Sequence, residues 1–232
     1  MKKIYIIFCL FVSLSALSQA PRGFYLNAGL NQTNFDSEDL ASTAGIGYKA
    51  GINFNMGYHE TYNFQIEMGV SSKNVNLKTV NGDYTQITET KFNSQAFDAG
   101  FFFNYYILKP DEDKFFLGPQ IGFNIAVKED LKIASGDDIN NNRYLPFLLR
   151  EGSFNNMPPI SLYANFGLTG GYNNFRFDLR YSYGTNNKLS TVQTDSFDSN
   201  NRYTGPTLIG NMNTLSFNLS YLIFSSVKRI SK

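Results

Sequence analysis

The sequence predicts an all-β fold, an eight-stranded antiparallel transmembrane up-and-down β-barrel. Three observations predict it. Eight segments alternate between apolar residues and small or polar ones, no charge falls on any of the apolar faces, and short and long connections alternate along the chain. A strand sends successive side chains to opposite faces, so strict alternation gives each strand one apolar and one polar face.

The chain opens with Lys2 and Lys3, then an apolar run from Ile4 to Leu17, then Ser18. The run is shorter than the ~20 residues a spanning helix needs, and its charged start and small-residue end suit a secretory signal peptide. The expected organisation is a signal peptide over residues 1–18 and an outer-membrane β-barrel domain over 19–232. Removing the leader removes Cys9, the only cysteine, so disulfides are not what holds the exported chain together.

The first strand is expected around 23–31, with Phe24, Leu26, Ala28 and Leu30 on its apolar face. The second, around 45–58, sets Ile46, Tyr48, Ala50, Ile52, Phe54 and Met56 against Gly47, Lys49, Gly51, Asn53 and Asn55. The third, around 62–71, sets Phe64, Ile66, Met68 and Val70 against Gln65, Glu67 and Gly69. The fourth, around 96–107, sets Phe97, Ala99, Phe101, Phe103, Tyr105 and Ile107 against Asp98, Gly100, Phe102 and Asn104. The fifth, around 115–127, carries Pro119 on its apolar face, where the missing N–H weakens the ladder. The sixth, around 160–171, turns Leu162, Phe166 and Leu168 one way and Tyr163, Asn165 and Gly167 the other. The seventh, around 175–184, sets Phe177, Leu179 and Tyr181 against Arg176, Asp178 and Arg180. The eighth, around 214–224, sets Leu215, Phe217, Leu219 and Tyr221 against Ser216, Asn218 and Ser220.

Which face is inside follows from the polar faces. They are rich in Gly, Asn and Ser and poor in charge, unlike a surface meeting water. A narrow barrel interior needs such small residues, and lipid would solvate the apolar faces. In lipid every backbone group must be paired, which closure achieves. A soluble lipid-binding barrel with the faces reversed is the alternative. The connections near 59–61, 108–114 and 172–174 are short, and those near 32–44, 72–95, 128–159 and 185–213 are long. Outer-membrane barrels have short periplasmic turns and long outer loops, so both termini are expected in the periplasm. Tyr58, Tyr62, Tyr105, Tyr106, Tyr172 and Tyr183 are candidates for aromatic girdles, or are simply strand-favouring tyrosines.

Several of these segments resemble the outer-membrane β-barrel domain family common in Bacteroidetes, which includes PorT-like proteins. The similar stretches are Phe64-Gln65-Ile66-Glu67-Met68-Gly69-Val70-Ser71-Ser72-Lys73, Phe115-Phe116-Leu117-Gly118-Pro119 and Phe177-Asp178-Leu179-Arg180-Tyr181-Ser182-Tyr183-Gly184. Where the family's fourth strand carries Glu-x-Pro, this chain has Asp98-Ala99-Gly100. The resemblance implies a porin-like barrel, and for the PorT-like members a place beside a type IX secretion and gliding system.

Six charges fall on the inward faces: Lys49, Glu67, Asp98, Arg176, Asp178 and Arg180. The expectation is a neutral hydrogen-bonded network that plugs the barrel, with a proton or ion path as the alternative. Enzymatic chemistry is not expected. The single His59 and single Cys9 leave no pair for a zinc site or an assisted nucleophile, and no cofactor is expected. Asp36, Glu38, Asp39, Asp137 and Asp138 read as solvated loop acids, with divalent-cation binding as the alternative. Tyr144, Leu145, Phe147, Leu148 and Leu149 form an apolar patch in the longest loop, read as a packed lid over the barrel mouth or a partner-binding surface. Outer-membrane lipid and lipopolysaccharide are the expected partners, with other outer-membrane or secretion-system proteins as candidates. The net charge of +1 gives no footprint for nucleic acid. The functional expectation is a structural or interaction component with a plugged interior. A small porin-like channel is the alternative.

Overall fold

The computed structural model describes residues 22–56, 61–80, 87–108, 115–133, 143–144, 154, 157–192 and 205–225. Its strands are β1 (Gly23–Asp36), β2 (Ser42–Met56), β3 (Tyr62–Val80), β4 (Ile87–Tyr105), β5 (Phe115–Ile133), β6 (Arg143–Tyr144), β7 (Ile160–Tyr172), β8 (Phe175–Gly184) and β9 (Asn211–Ser225). Eight of them form a closed antiparallel ring in which each pairs with the next, and β1 pairs with β9. The two-residue β6 pairs with the far end of β3, Thr79 opposite Tyr144.

Alternation becomes an inside and an outside. Leu30, Val70, Phe123, Phe166 and Phe217 are each more than half exposed on the outer wall. Asn27, Asn53, Gln65, Glu67, Asn165, Arg180 and Asn218 are buried in the lumen. Cross-strand aromatic pairs stiffen the wall, with Phe64 stacked on Phe101 at 5.5 Å and tilted against Phe103 at 5.5 Å. Such pairs stabilise a sheet beyond the area they bury.

The strands run further than their alternating segments suggested. β3 and β4 each have 19 residues and stay paired from Tyr62 opposite Tyr105 to Val80 opposite Ile87. About 9–11 tilted residues suffice to cross a bilayer. The connection expected near 72–95 is therefore mostly hairpin, because Asn74, Asn76, Lys91 and Asn93 continue the ladder even though they break the apolar pattern. The long-loop rim thus stands beyond the apolar band.

In this extension the two faces exchange character. Outside stand Asn74, Asn76, Lys78, Glu89 and Lys91. Inside, Val75, Leu77, Phe92 and Leu131 pack with Phe35, Leu40, Met157, Leu189 and Met212 into an apolar core. Two register shifts mark the transition, one between β2 and β3 and one between β4 and β5. The second lies beside Lys128, whose φ of 61° places it in the left-handed region. A bulge there re-aims the chain, so Ala126 points inward before it and Glu129 and Leu131 point inward after it.

The short-turn rim is simpler. Asn173, at φ 56°, turns β7 into β8 with Tyr172 opposite Phe175. Pro119 pairs opposite Leu168 of β7, while the β4 ladder already stops at Gln120, so the absent N–H falls at a ladder end. Tyr106, expected as a girdle candidate, is instead buried in the lumen against Phe116 at 5.2 Å. The inward phase of β4 simply continues through it. Tyr105, Tyr172 and Tyr183 lie exposed on the outer wall. Tyr58 lies outside the described residues.

Candidate functional site

Period two stacks Arg176, Asp178 and Arg180 along the inner face of β8, and closure brings β3 and β2 across the lumen to meet them. Arg180 Nη1 lies 2.7 Å from Glu67 Oε2, and its Nη2 lies 3.1 Å from Asp178 Oδ2. Arg180 Nε donates to Gln120. The guanidinium sits 4.0 Å above the Phe102 ring. Arg176 Nε meets the other Asp178 oxygen at 3.1 Å, and its Nη2 donates to Gln65 at 2.5 Å. Lys49 Nζ meets Glu67 Oε1 at 2.5 Å. Glu67 and Asp178 therefore each bridge two cations, and five of the six inward charges form one chain of ion pairs.

Amides extend this layer. Gln120 donates to Asn104 at 2.5 Å and to Gln65 at 3.1 Å, and Asn104 donates to Asn63 at 2.7 Å. Below it, Tyr25, Tyr106 and Phe116 fill the short-turn end. Charges buried at this depth persist only when they are paired, and each of these five takes part in an ion pair.

Asp98 stands apart from that chain. One oxygen accepts from Asn124 at 3.4 Å, and Oδ2 has no hydrogen-bond partner among the described residues. It borders a cavity of about 30 Å³ lined also by Lys49, Ser71, Lys73, Tyr163 and Arg180. That is room for a water or two.

A second polar layer closes the lumen above the cavity. Glu129 is paired with Lys73 and lies 3.6 Å from Lys188. The Tyr163 hydroxyl donates to Glu129, with its carboxylate oxygens at 2.8 and 2.9 Å. Lys73 sits 4.1 Å over the Tyr163 ring. Lys188 also donates to the carbonyls of Glu129 at 3.0 Å and Pro158 at 2.5 Å. Glu129 lies just past Val127 and Ile160, the last lipid-facing residues of β5 and β7. Burial pushes its carboxyl up, but Lys73 and Lys188 outweigh that and hold it below the ordinary carboxylate value.

The alternation did not single out Glu129, Lys73 or Lys188 as site residues. Glu129 follows the bulge, so its sequence parity is that of the outer face. Lys73 lies beyond Val70, the last lipid-facing apolar residue of β3, and Lys188 comes from the segment after β8. The one usable signal was the inward parity of Lys73 with Glu67 and Ser71.

Of the loop patch, Tyr144 is described. It is buried against Phe92 at 5.4 Å and Phe154 at 5.2 Å, inside the rim core. Leu145, Phe147, Leu148 and Leu149 lie outside the described residues, as do His59, Asp137 and Asp138. Asp39 accepts a hydrogen bond from the Ile209 amide at 2.7 Å and ties its connection to the segment before β9. No group of three metal-ligating side chains occurs among the described residues.

A closed strand ring with an apolar wall and a hydrogen-bonded, charged interior defines an integral membrane β-barrel. The chain belongs to the outer membrane protein beta-barrel domain family, which matches residues 18–190. No curated protein matches it. Among solved structures it is similar to the outer membrane protein OprG from Pseudomonas aeruginosa, at 10% identity and a TM-score of 0.44, over 88% of this chain and 98% of that one. It is also similar to Ail, the attachment invasion locus protein of Yersinia pestis, at 14% identity and a TM-score of 0.39, over 86% and 98%. A third is the Neisserial surface protein A, at 12% identity and a TM-score of 0.40, over 86% and 96%.

Proposed function

We propose that this barrel works as a closed, non-enzymatic structural or interaction component of the outer membrane rather than as a pore. The observation that carries the reading is the double closure of the lumen, by the Glu67–Arg180–Asp178–Arg176 layer and by the Glu129–Lys73–Lys188 layer, with about 30 Å³ between them. A conducting barrel needs a continuous wet path, and ordered ion pairs stacked through the lumen oppose one. With a single His in the chain, acid–base chemistry of the common hydrolase kind has no obvious residue to use.

In this reading residues 1–18 are the cleaved export signal and the short-turn rim faces the periplasm. The long-loop rim, with its packed core, then faces the cell exterior and presents the contact surface. Accessory service to a type IX secretion or gliding complex is the finer form of the proposal, and it rests on the family resemblance of β3, β5 and β8.

Planar-bilayer recording tests the closure. Wild-type protein is expected to insert without unitary conductance steps. Reproducible steps from wild-type protein would favour the small-porin reading. Purification of the tagged chain from its native outer membrane tests the interaction role, and a stoichiometric companion is the expected result.

A further inference from the structure

Four lysines are exposed among the described residues, and all four stand on one face. They are Lys78 on β3, Lys91 on β4 and Lys128 and Lys132 on β5. The exposed acids Asp36 and Glu38, at and just past the end of β1, stand on the other side of the same rim. Glu89, opposite Lys78, is an acid of the basic face. Charge at the long-loop rim is therefore sorted by side.

Directly below the lysines the outer wall carries a groove of about 400 Å³, walled by Tyr48, Val70, Gln95 and Phe97, with Lys128 at its margin. Both register shifts flank it, and the twist a bulge adds opens the wall there. Tyr48, Val70 and Phe97 belong to the lipid-facing set. Lys128 follows Val127, so it stands at the edge of the apolar band. Lys132 pairs opposite Asn93 and Lys91 opposite Asn76, four and six residues beyond Phe97. At ~3.3 Å per residue, the lysines climb roughly 13–20 Å along the strands past the last apolar contact.

We infer that this groove and the lysine column above it form a binding site for a phosphorylated glycolipid of the lipopolysaccharide class. An acyl chain lies along Tyr48, Val70 and Phe97. Lys128 meets the phosphate, and Lys132 and Lys91 meet the charged sugars above it. The height of the column selects this occupant. A simple phospholipid headgroup would reach Lys128 and leave the upper lysines unused. The inference rests on the proposed orientation, which puts this rim in the outer leaflet.

The test reconstitutes the full chain in nanodiscs with bis-phosphorylated lipid A bearing its acidic inner-core sugars, the same lipid A glycolipid dephosphorylated, or phosphatidylglycerol, and measures co-retained lipid by native mass spectrometry. Wild-type protein is expected to retain phosphorylated lipid A selectively. Lys91→Gln, Lys128→Gln and Lys132→Gln should each weaken retention by about fivefold, as expected for one surface lysine. Glu38→Gln, on the acidic side, should leave it unchanged. Unheated electrophoretic mobility and the far-ultraviolet strand signal verify that each variant is folded. Equal retention by a folded triple variant, indifference to the phosphates, or preference for phosphatidylglycerol would each overturn the inference. Orientation is read separately, by labelling Glu38→Cys in intact cells with an impermeant maleimide. Labelling without lipid A retention removes the site alone, whereas retention without labelling removes the orientation alone.

Discussion

Arg180 holds two carboxylates at once, so removing it strands both. Arg180→Met leaves Glu67 with Lys49 alone and Asp178 with Arg176 alone in the lumen. Breaking a buried pair costs about 3–5 kcal/mol, whereas replacing all its members with apolar groups is often neutral. Urea titration in micelles should therefore show Arg180→Met strongly destabilised and Arg180→Met with Glu67→Gln partly restored. Strict additivity of the two changes would mean the pair is not coupled. Glu129 makes a pH prediction. Its folded carboxyl is held below the ordinary value of 4.5, so it stabilises the rim above that pH, and this contribution is lost as pH falls through the lower folded value. Near-ultraviolet circular dichroism, read against pH, should show the Tyr and Phe packing of the rim loosening below about pH 4.5. Glu129→Gln should flatten that response.

Within the strands, two backbone positions set the geometry. Lys128 holds the left-handed conformation that makes the bulge, at φ 61°. Such a conformation costs an ordinary residue about 1–2 kcal/mol and a β-branched one more. Lys128→Gly should raise thermal stability and Lys128→Val should lower it. Gly118 is the second. A Cβ there would fall on the Tyr105 carbonyl oxygen, where the end of β4 crosses toward the Leu108–Leu117 bridge. Gly118→Ala should slow or prevent conversion to the folded gel mobility, while Gly100→Ala, which meets only side chains, should be milder. The strands were legible from the sequence because lipid and lumen impose period two on every residue between them. Their outer ends were not. Beyond Val70 and Phe97 the outer wall meets water, so Asn74 and Lys91 are as suitable as Phe was below, and the alternation that marked the strand changes sign without ending. A bulge is still harder to read, since Val127-Lys128-Glu129 looks like a strand leaving the membrane.

Across the whole molecule, the apolar wall should resist charge in proportion to depth. Leu179 lies midway along the outer face of β8, 43% exposed to the lipid. Leu179→Arg should cost about 2–4 kcal/mol in lipid-vesicle unfolding, as expected near a bilayer midplane, and Ile87→Arg, on the far rim, close to nothing. The sequence also offered the inward charges one by one, since each of the six falls on a face that the alternation turns inward. It could not say which would meet. Glu67 and Arg180 are separated by 113 positions, and their encounter depends on the width and stagger of the closed ring. Asp98 shows the converse. Its parity put it with the others, but its height leaves it beside the cavity instead.

The β1–β9 seam joins residues nearly two hundred positions apart, from Gly23 opposite Ser225 to Asp36 opposite Asn211. Every other long-strand pairing links neighbours in the chain and can form as a hairpin does, but this one must wait for all of them. Contacts of such long range make a slow folding step, since their loop entropy is lost before the reward arrives. Until the seam zips, Arg180 cannot find Glu67, and an open sheet would hold unpaired charges beside lipid. The ion pairs therefore reward the finished ring and penalise every unfinished one, so assembly should be all-or-none. A chain cut short before Asn211 should accumulate as an unclosed intermediate that never acquires heat-sensitive gel mobility.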